Sequence, residues 1–321
     1  MAQLSVVADL ARYGPLARNA PCPSGAEASA YCRRLARGHY ENFTVASWLL
    51  PRHLQPHFHA IYAYCRWADD LADETHRDES LALLDWWQDQ LDACYAGQPR
   101  HPVFVALRPT IEMFSIPPEP FTRLLTAFRQ DQRVTRYATA DELLGYCENS
   151  ANPVGRLILY LGRCHDERRG RLSDAICTGL QLANFCQDVA RDWAANRVYL
   201  PRETLDQFGC AEQMFAQGQA NKAFRQAMRM EVERAEKYLR EGQPLVEMMP
   251  RELRLEVALF AAGGLTVLQA IRDLDYDVWR QRPTVSWRRK LGLLVRCWRR
   301  TRRLPGKVLA PSGPAGTETI A

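Results

Sequence analysis

The sequence predicts an all-α protein built as one large domain. Three observations carry that reading: apolar residues recur at helical spacing through most of the chain, prolines punctuate the recurring stretches, and no alternating Val/Ile/Thr run marks a sheet. Its 321 residues, 47% apolar and 25% charged, have the balance of a globular domain and set aside collagen, disordered and disulfide-scaffold classes.

The elements follow in order. Residues 1–25 are rich in Ala, Pro and Gly without sustained periodicity and are expected to be disordered. Helices are expected at about 27–38, 53–72, 79–96, 119–135, 141–163, 172–193, 219–248 and 251–281. Pro51, Pro117-Pro118, Pro153, Pro201, Pro250 and Pro283 punctuate them, because proline suits a first turn but not a helix interior. Asn152-Pro153 interrupts one helix, either as a plain kink or as a break that turns carbonyls toward a cation. Gly263-Gly264 permits close helix approach. Residues 26–282 therefore read as the body, 283–307 as a basic amphipathic segment and 308–321 as a disordered tail.

Charge and cysteine usage narrow the setting. The net charge of +5 hides a division, since residues 278–317 carry eleven Lys/Arg and no acid, leaving a mildly acidic body. The ten cysteines form no CxxC pair and fall mostly in apolar stretches, which argues against zinc and disulfides. No window approaches 18 uninterrupted apolar residues, and the N-terminus lacks a basic segment followed by an apolar core. A cytoplasmic chain, peripheral at most on the inner face of the cytoplasmic membrane, is the expectation.

Two acidic clusters carry the chemistry. In HFHAIYAYCRWADDLADE, Phe58, Ile61, Tyr62 and Cys65 mark a helical stripe that Asp69 and Asp73 continue, with Asp70 and Glu74 beside them. Like charges four residues apart near a helix C-terminus oppose local stability, so stability is not their purpose. A solvated helix end is one reading; an oxygen-ligand site for Mg²⁺ is the other. In the second cluster, Gln181, Asn184, Asp188 and Asp192 share one strip beside the packed face of Leu182, Phe185, Cys186, Val189 and Trp193. It is either an ordinary polar face or a set of short oxygen donors for a hard cation. Two such helices facing one another would suit a diphosphate bridged by Mg²⁺, which makes it a good leaving group, inside an otherwise apolar pocket.

These motifs resemble the squalene/phytoene synthase family of all-α isoprenoid synthases. The resemblance rests on Arg66-Trp67-Ala68-Asp69-Asp70-Leu71-Ala72-Asp73-Glu74, on Gln181-Leu182-Ala183-Asn184-Phe185-Cys186-Gln187-Asp188-Val189-Ala190-Arg191-Asp192, and on Asn196-Arg197-Val198-Tyr199-Leu200-Pro201. Within the family the wording is most similar to bacterial hydroxysqualene synthases of hopanoid biosynthesis, through Glu41–Ser47 with Leu50-Pro51, Asn149–Arg156 and Asp275–Val278.

The resemblance implies a terpenoid-synthase bundle with a central cavity. It implies that presqualene diphosphate and water become hydroxysqualene and diphosphate, with several Mg²⁺ ions and no NADPH; head-to-head condensation of two farnesyl diphosphates is the rival within the family, and a noncatalytic scaffold the rival outside catalysis. Asp69, Asp73, Asn184, Asp188 and Asp192 would hold Mg²⁺, and Arg66, Tyr146 and Gln181 would line the diphosphate and the cation. His39 would lie near the diphosphate, with Arg197 and Tyr199 in the segment that closes over it. Three departures from condensing relatives, Gln187 in place of a basic residue and Tyr40 and Asn42 in place of serines, fit an enzyme that ionises one substrate.

Two features remain. His53, His57 and His59 stand among aromatic residues and are read as structural. The segment from Trp279 interleaves Trp279, Trp287, Leu291, Leu294 and Trp298 with arginines, which favours a membrane surface over nucleic acid as its partner. Transient contact with neighbouring squalene-pathway enzymes is the other expected association.

Overall fold

A computed structural model describes residues 6–17, 21–38, 50–75 and 77–305. Fourteen α-helices and one 3₁₀ turn, with a single isolated bridge between Arg136 and Val198, make up the described chain. The first six are α1 (Val6–Tyr13), α2 (Gly25–Gly38), α3 (Gln55–Asp73), α4 (Arg77–Tyr95), α5 (Pro102–Phe114) and α6 (Glu119–Asp131). There follow α7 (Ala140–Ser150), α8 (Asn152–Leu161), α9 (Glu167–Ala194) and α10 (Arg202–Gln207). The 3₁₀ turn Glu212–Gln217 precedes α11 (Lys222–Gly242), α12 (Leu245–Met248), α13 (Arg254–Asp273) and α14 (Trp287–Arg303).

Side-chain caps set several helix starts. Thr139 accepts from the Glu142 amide to open α7, Asp166 accepts from Arg169 to open α9, and Asn221 accepts from Phe224 to open α11. Each oxygen satisfies an amide that the first turn leaves without an intrahelical partner.

The apolar residues gather in two clusters. One joins α1–α5 and most of α6 to α8 and the N-terminal part of α13; the other joins α7, α10 and α11 to the C-terminal halves of α9 and α13. Both α9 and α13 run through both clusters, with Ile176 and Val257 in the first and Val189 and Ile271 in the second. In the first, the rings of Trp67 and Trp87 stack at 5.1 Å, with His101 edge-on to both and Phe104 tilted on Trp87, behind the first acidic motif. In the second, glycine lets α9 and α11 approach: a Cβ on Gly179 would lie 2.7 Å from Leu239 Cγ, and one on Gly242 only 2.7 Å from the Leu172 carbonyl oxygen. Gly264 is similarly filled by Leu180 and Leu239, whereas Gly263 faces open space.

Several expectations need correction. The N-terminal segment contains α1, whose Val6 is fully buried and whose Asp9 accepts from Tyr31 Oη at 2.7 Å; an eight-residue helix is too short for its periodicity to stand out. Helix α5 has no counterpart among the expected elements, and its two prolines, Pro102 and Pro109, do not break it. Pro102 instead occupies the first turn, where its missing N–H costs nothing, and His101 Nδ1 accepts from Val103 N. The helix expected over 141–163 divides at Ala151, where Asn152 Oδ1 accepts from Thr178 Oγ1 of α9 at 2.9 Å, so the break is a kink locked by a buried hydrogen bond. Within the basic amphipathic segment, α14 packs on α13 through buried Cys297 and Thr301. Residues 306–321, and with them the expected tail, lie outside the described residues.

His57 and His59 behave as structural groups, whereas His53 is exposed and lies 3.8 Å from Glu252. His57 Nδ1 meets Thr110 Oγ1 at 2.8 Å, and His59 is buried. All ten cysteines are free thiols. Helix α13 is apolar enough to cross a bilayer by length and composition, but its faces pack on α9, α11 and α14 and half of the apolar window is buried.

Candidate active site

Helix α3 carries the first acidic motif on the edge of its packed face. Its buried arc centres on Ala60, Tyr64, Trp67, Ala68 and Leu71, because α2, α4, α5 and α6 all press on that side. Asp69 and Asp73 therefore stand at the margin, each with 47% of its side chain exposed, and the buried carboxylate is Asp70. This corrects the expectation that Asp69 and Asp73 continue the buried stripe: an α-helix packed on several sides has a wider buried arc than the stripe of four residues used to define it.

Arg66 is the counter-ion of this group. Its guanidinium ion-pairs with Asp70, reaches Asp69 at 3.4 Å and lies 3.7 Å from Glu74. Burial still pushes the Asp70 carboxyl up to about 7, against the opposing pull of Arg66. Surrounding protein also desolvates Asp69, despite the water at its tip, and with the neighbouring Asp73 carboxylate raises it to about 6.

The second motif lies along the C-terminal half of α9. Gln181, Asn184, Asp188 and Asp192 are half-buried on one strip, while Leu182, Phe185, Cys186 and Val189 fill the second core cluster behind them. Burial, then the Asp188 carboxylate, raise Asp192 to about 7.

The chain after α9 turns back toward α3. Asn196 adopts φ +58°, the Arg197 amide donates to the Asp192 carbonyl at 2.7 Å, and Val198 N donates to Thr135 O at 2.9 Å. That turn carries the Arg197 guanidinium across to Asp73, Nη2 to Oδ1 at 2.8 Å. Burial alone would lower the Arg197 pKa, but its bond to Asp73 outweighs that and raises it. The same guanidinium field lowers Asp69, Asp131 and Asp192, so Arg197 is the shared cation between the two motifs.

An aromatic wall flanks this centre. Tyr199 stacks on Phe185 at 3.9 Å, and Tyr146 and Tyr137 lie 5.9 Å from Tyr199. Tyr146 Oη donates to Asp131 Oδ2 at 2.9 Å, and burial lifts Asp131 to about 7 in spite of that bond.

Sequence reasoning missed Asp131 and Arg282. Arg282 Nη2 donates to Asp188 Oδ2 at 2.9 Å and to Gln187 Oε1 at 3.3 Å, and Gln187 Nε2 donates to the Pro283 carbonyl. Arg282 thus places a cation beside Asp188 and Gln187, from 94 residues beyond Asp188 in sequence. Neither residue sits in a periodic pattern with the motifs, so no sequence signal pointed to them. His39, Tyr40 and Asn42 lie outside the described residues.

The donor set suits Mg²⁺ in its usual manner. Among the described residues no three Asp, Glu, His or Cys side chains converge as a metal cage. Mg²⁺ does not require one, since it commonly takes one or two carboxylates and fills its octahedron with waters and phosphate oxygens. Asp131 Oδ1, Asp70 Oδ2 and Arg66 Nε are buried without a hydrogen-bond partner among the described residues, so carboxylate and guanidinium valences at this centre are left unsatisfied. Away from this centre, a cavity of about 470 Å³ opens between α13 and α14.

Comparison with known proteins agrees with this architecture. The squalene/phytoene synthase family model matches residues 36–289. The hydroxysqualene synthase of Rhodopseudomonas palustris is 36% identical over 241 residues, covering 73% of this chain and 80% of that one. The 15-cis-phytoene synthase of Synechocystis is 31% identical over 317 residues, covering 94% and 92%. The crystal structure of squalene synthase HpnC from Alicyclobacillus acidocaldarius superposes with a TM-score of 0.76 at 44% identity, covering 78% of this chain and 95% of that one. The chain belongs to the squalene/phytoene synthase family, whose members act on prenyl diphosphates.

Proposed function

We propose that the protein converts presqualene diphosphate and water to hydroxysqualene and diphosphate in a Mg²⁺-dependent reaction. The observation that carries this reading is Arg197, fixed between the two acidic motifs and beside the wall of Tyr146, Phe185 and Tyr199. It joins an anion-binding centre to a cation-stabilising one. The 36% identity to a hydroxysqualene synthase supports the specific substrate.

Asp69, Asp73, Asn184, Asp188 and Asp192 would hold Mg²⁺, which when bound supplies charge to the leaving diphosphate. Arg66, Arg197 and Arg282 would donate to diphosphate oxygens, releasing their carboxylate partners as they do so. The carbon–oxygen bond breaks with its electron pair leaving on diphosphate. Faces of Tyr146, Phe185 and Tyr199 stabilise the resulting carbocation by cation–π attraction, and their bulk keeps stray water from it. Gln181, on the same strip of α9, would orient the head group beside them. After rearrangement one water adds to the cation and loses a proton, so no reductant is consumed.

A second reading is head-to-head condensation of two farnesyl diphosphates, favoured by the phytoene synthase match over 94% of the chain. Purified protein incubated with Mg²⁺ and either presqualene diphosphate or farnesyl diphosphate, with products identified by mass spectrometry, separates the readings. Hydroxysqualene from presqualene diphosphate alone supports the proposal. Turnover of farnesyl diphosphate alone replaces it with condensation, and no turnover of either points to a scaffold.

A further inference from the structure

Helix α14 carries a strip that the bundle does not cover. Among the described residues the exposed large hydrophobics are Leu16, Met113, Trp287, Leu291, Val295 and Trp298, and the last four all lie on this one helix. Their spacing, i, i+4, i+8 and i+11, confines them to an arc of about 80° at 3.6 residues per turn. Trp287 is 68% exposed and Leu291 53%, values that a packed helix face does not show.

The rest of the helix is fastened in place. Cys297 and Thr301 are buried on the α13 side, with Cys297 Sγ toward the Ala258 carbonyl. Arg289 Nη1 holds Asp273 at 2.7 Å near one end, and Arg254 Nη1 donates to the Pro305 carbonyl at 3.0 Å beyond the other. The strip is thus presented on a fixed rod.

Charge identifies what it meets. The seventeen residues of α14 include eight Lys/Arg and no acid. Two of the arginines lie over the exposed tryptophans, Arg302 at 4.3 Å from the Trp298 ring centre and Arg288 at 5.7 Å from that of Trp287. A Trp inserted at headgroup depth with a guanidinium stacked upon it places the cation level with lipid phosphates. A second copy of the helix would set eight cations against eight, and a nucleic acid backbone would have no use for Leu291 and Val295.

We propose that α14 docks the protein flat on an anionic phospholipid bilayer, with Trp287, Leu291, Val295 and Trp298 inserted and Arg288, Arg299, Arg302 and Arg303 on headgroup phosphates. This interface is independent of which prenyl diphosphate the active site takes.

Vesicle flotation of the full chain tests it, using phosphatidylcholine vesicles with and without phosphatidylglycerol. The wild type should float with the mixed vesicles and not with pure phosphatidylcholine, and raising the salt should release it. Replacing Trp287, Leu291 and Trp298 by Ser together should weaken partitioning by about tenfold or more, and so should replacing Arg299, Arg302 and Arg303 by Gln. Helicity and diphosphate release measured without vesicles should stay unchanged in both variants, which separates loss of docking from loss of folding. Equal binding to neutral vesicles, unaltered flotation of either variant, or no flotation of the wild type overturns the proposal. So does self-association or duplex DNA binding that the strip variant abolishes while flotation persists.

Discussion

Replacing Arg197 by Gln removes the cation shared by the two acidic motifs while keeping a hydrogen-bonding side chain of similar length. The Arg197–Asp73 pair spans 2.8 Å with side chains 25% and 47% exposed, so it lies between the surface and buried limits. Exposed pairs contribute about 0.2–1 kcal/mol, and breaking a buried pair costs about 3–5 kcal/mol. An intermediate loss of about 1–2 kcal/mol follows, or a Tm lower by about 1.5–3 °C in a chain of this size. The catalytic loss should be larger. A charge-assisted contact to diphosphate is worth about 1.5–3 kcal/mol, which lowers kcat/KM by about tenfold to about a hundredfold. Thermal unfolding and a diphosphate-release assay, each at several Mg²⁺ concentrations, measure both effects. A double-mutant cycle with Asp73→Asn should return a coupling of about 1 kcal/mol. Added Mg²⁺ should stabilise Arg197→Gln more than the wild type, because Asp69, Asp131 and Asp192 have lost their common cation. A variant with wild-type kcat/KM and no coupling to Asp73 would refute the assignment of Arg197 to the centre.

Three further outcomes are expected. Asp69→Asn or Asp188→Asn should abolish diphosphate release with circular dichroism unchanged, and full activity in either would remove that residue from the site. Gly179→Ala should destabilise the α9–α11 contact by about 1–3 kcal/mol in denaturant unfolding, since its Cβ would sit 2.8 Å from the backbone nitrogen of Leu239; an unchanged midpoint would show that the helices can part without cost. Glu256 is 3% exposed, its Oε2 lacks a partner among the described residues, and burial lifts its pKa from 4.5 to about 7. Because the folded pKa is the higher one, the native state holds the extra proton and stability falls as pH rises from about 4.5 toward 7. Glu256→Gln should therefore gain on the wild type over that window, by up to about 3 kcal/mol, and parallel stability curves would contradict the linkage.

Helical class, the two acidic motifs and the basic amphipathic segment were legible in the sequence because each is local. A residue's neighbours three and four positions away determine a helical face, and Gln181, Asn184, Asp188 and Asp192 declare theirs by spacing alone. The two prolines of α5 show the limit of local rules, since composition does not distinguish a first-turn proline from a breaker.

What only the tertiary structure decided is which groups meet across elements. Periodicity shows that α3 has a face but not how many neighbours press on it, so the fully buried carboxylate proved to be Asp70 and not Asp69. The pairings of Arg197 with Asp73, Arg282 with Asp188 and Tyr146 with Asp131 join residues 124, 94 and 15 positions apart. Their charges are balanced in space by the packing of α3, α6, α7 and α9, and no local pattern encodes that balance. The same holds for α14: its composition announces a basic amphipathic helix, whereas its docking on α13 determines which part of the apolar face remains open.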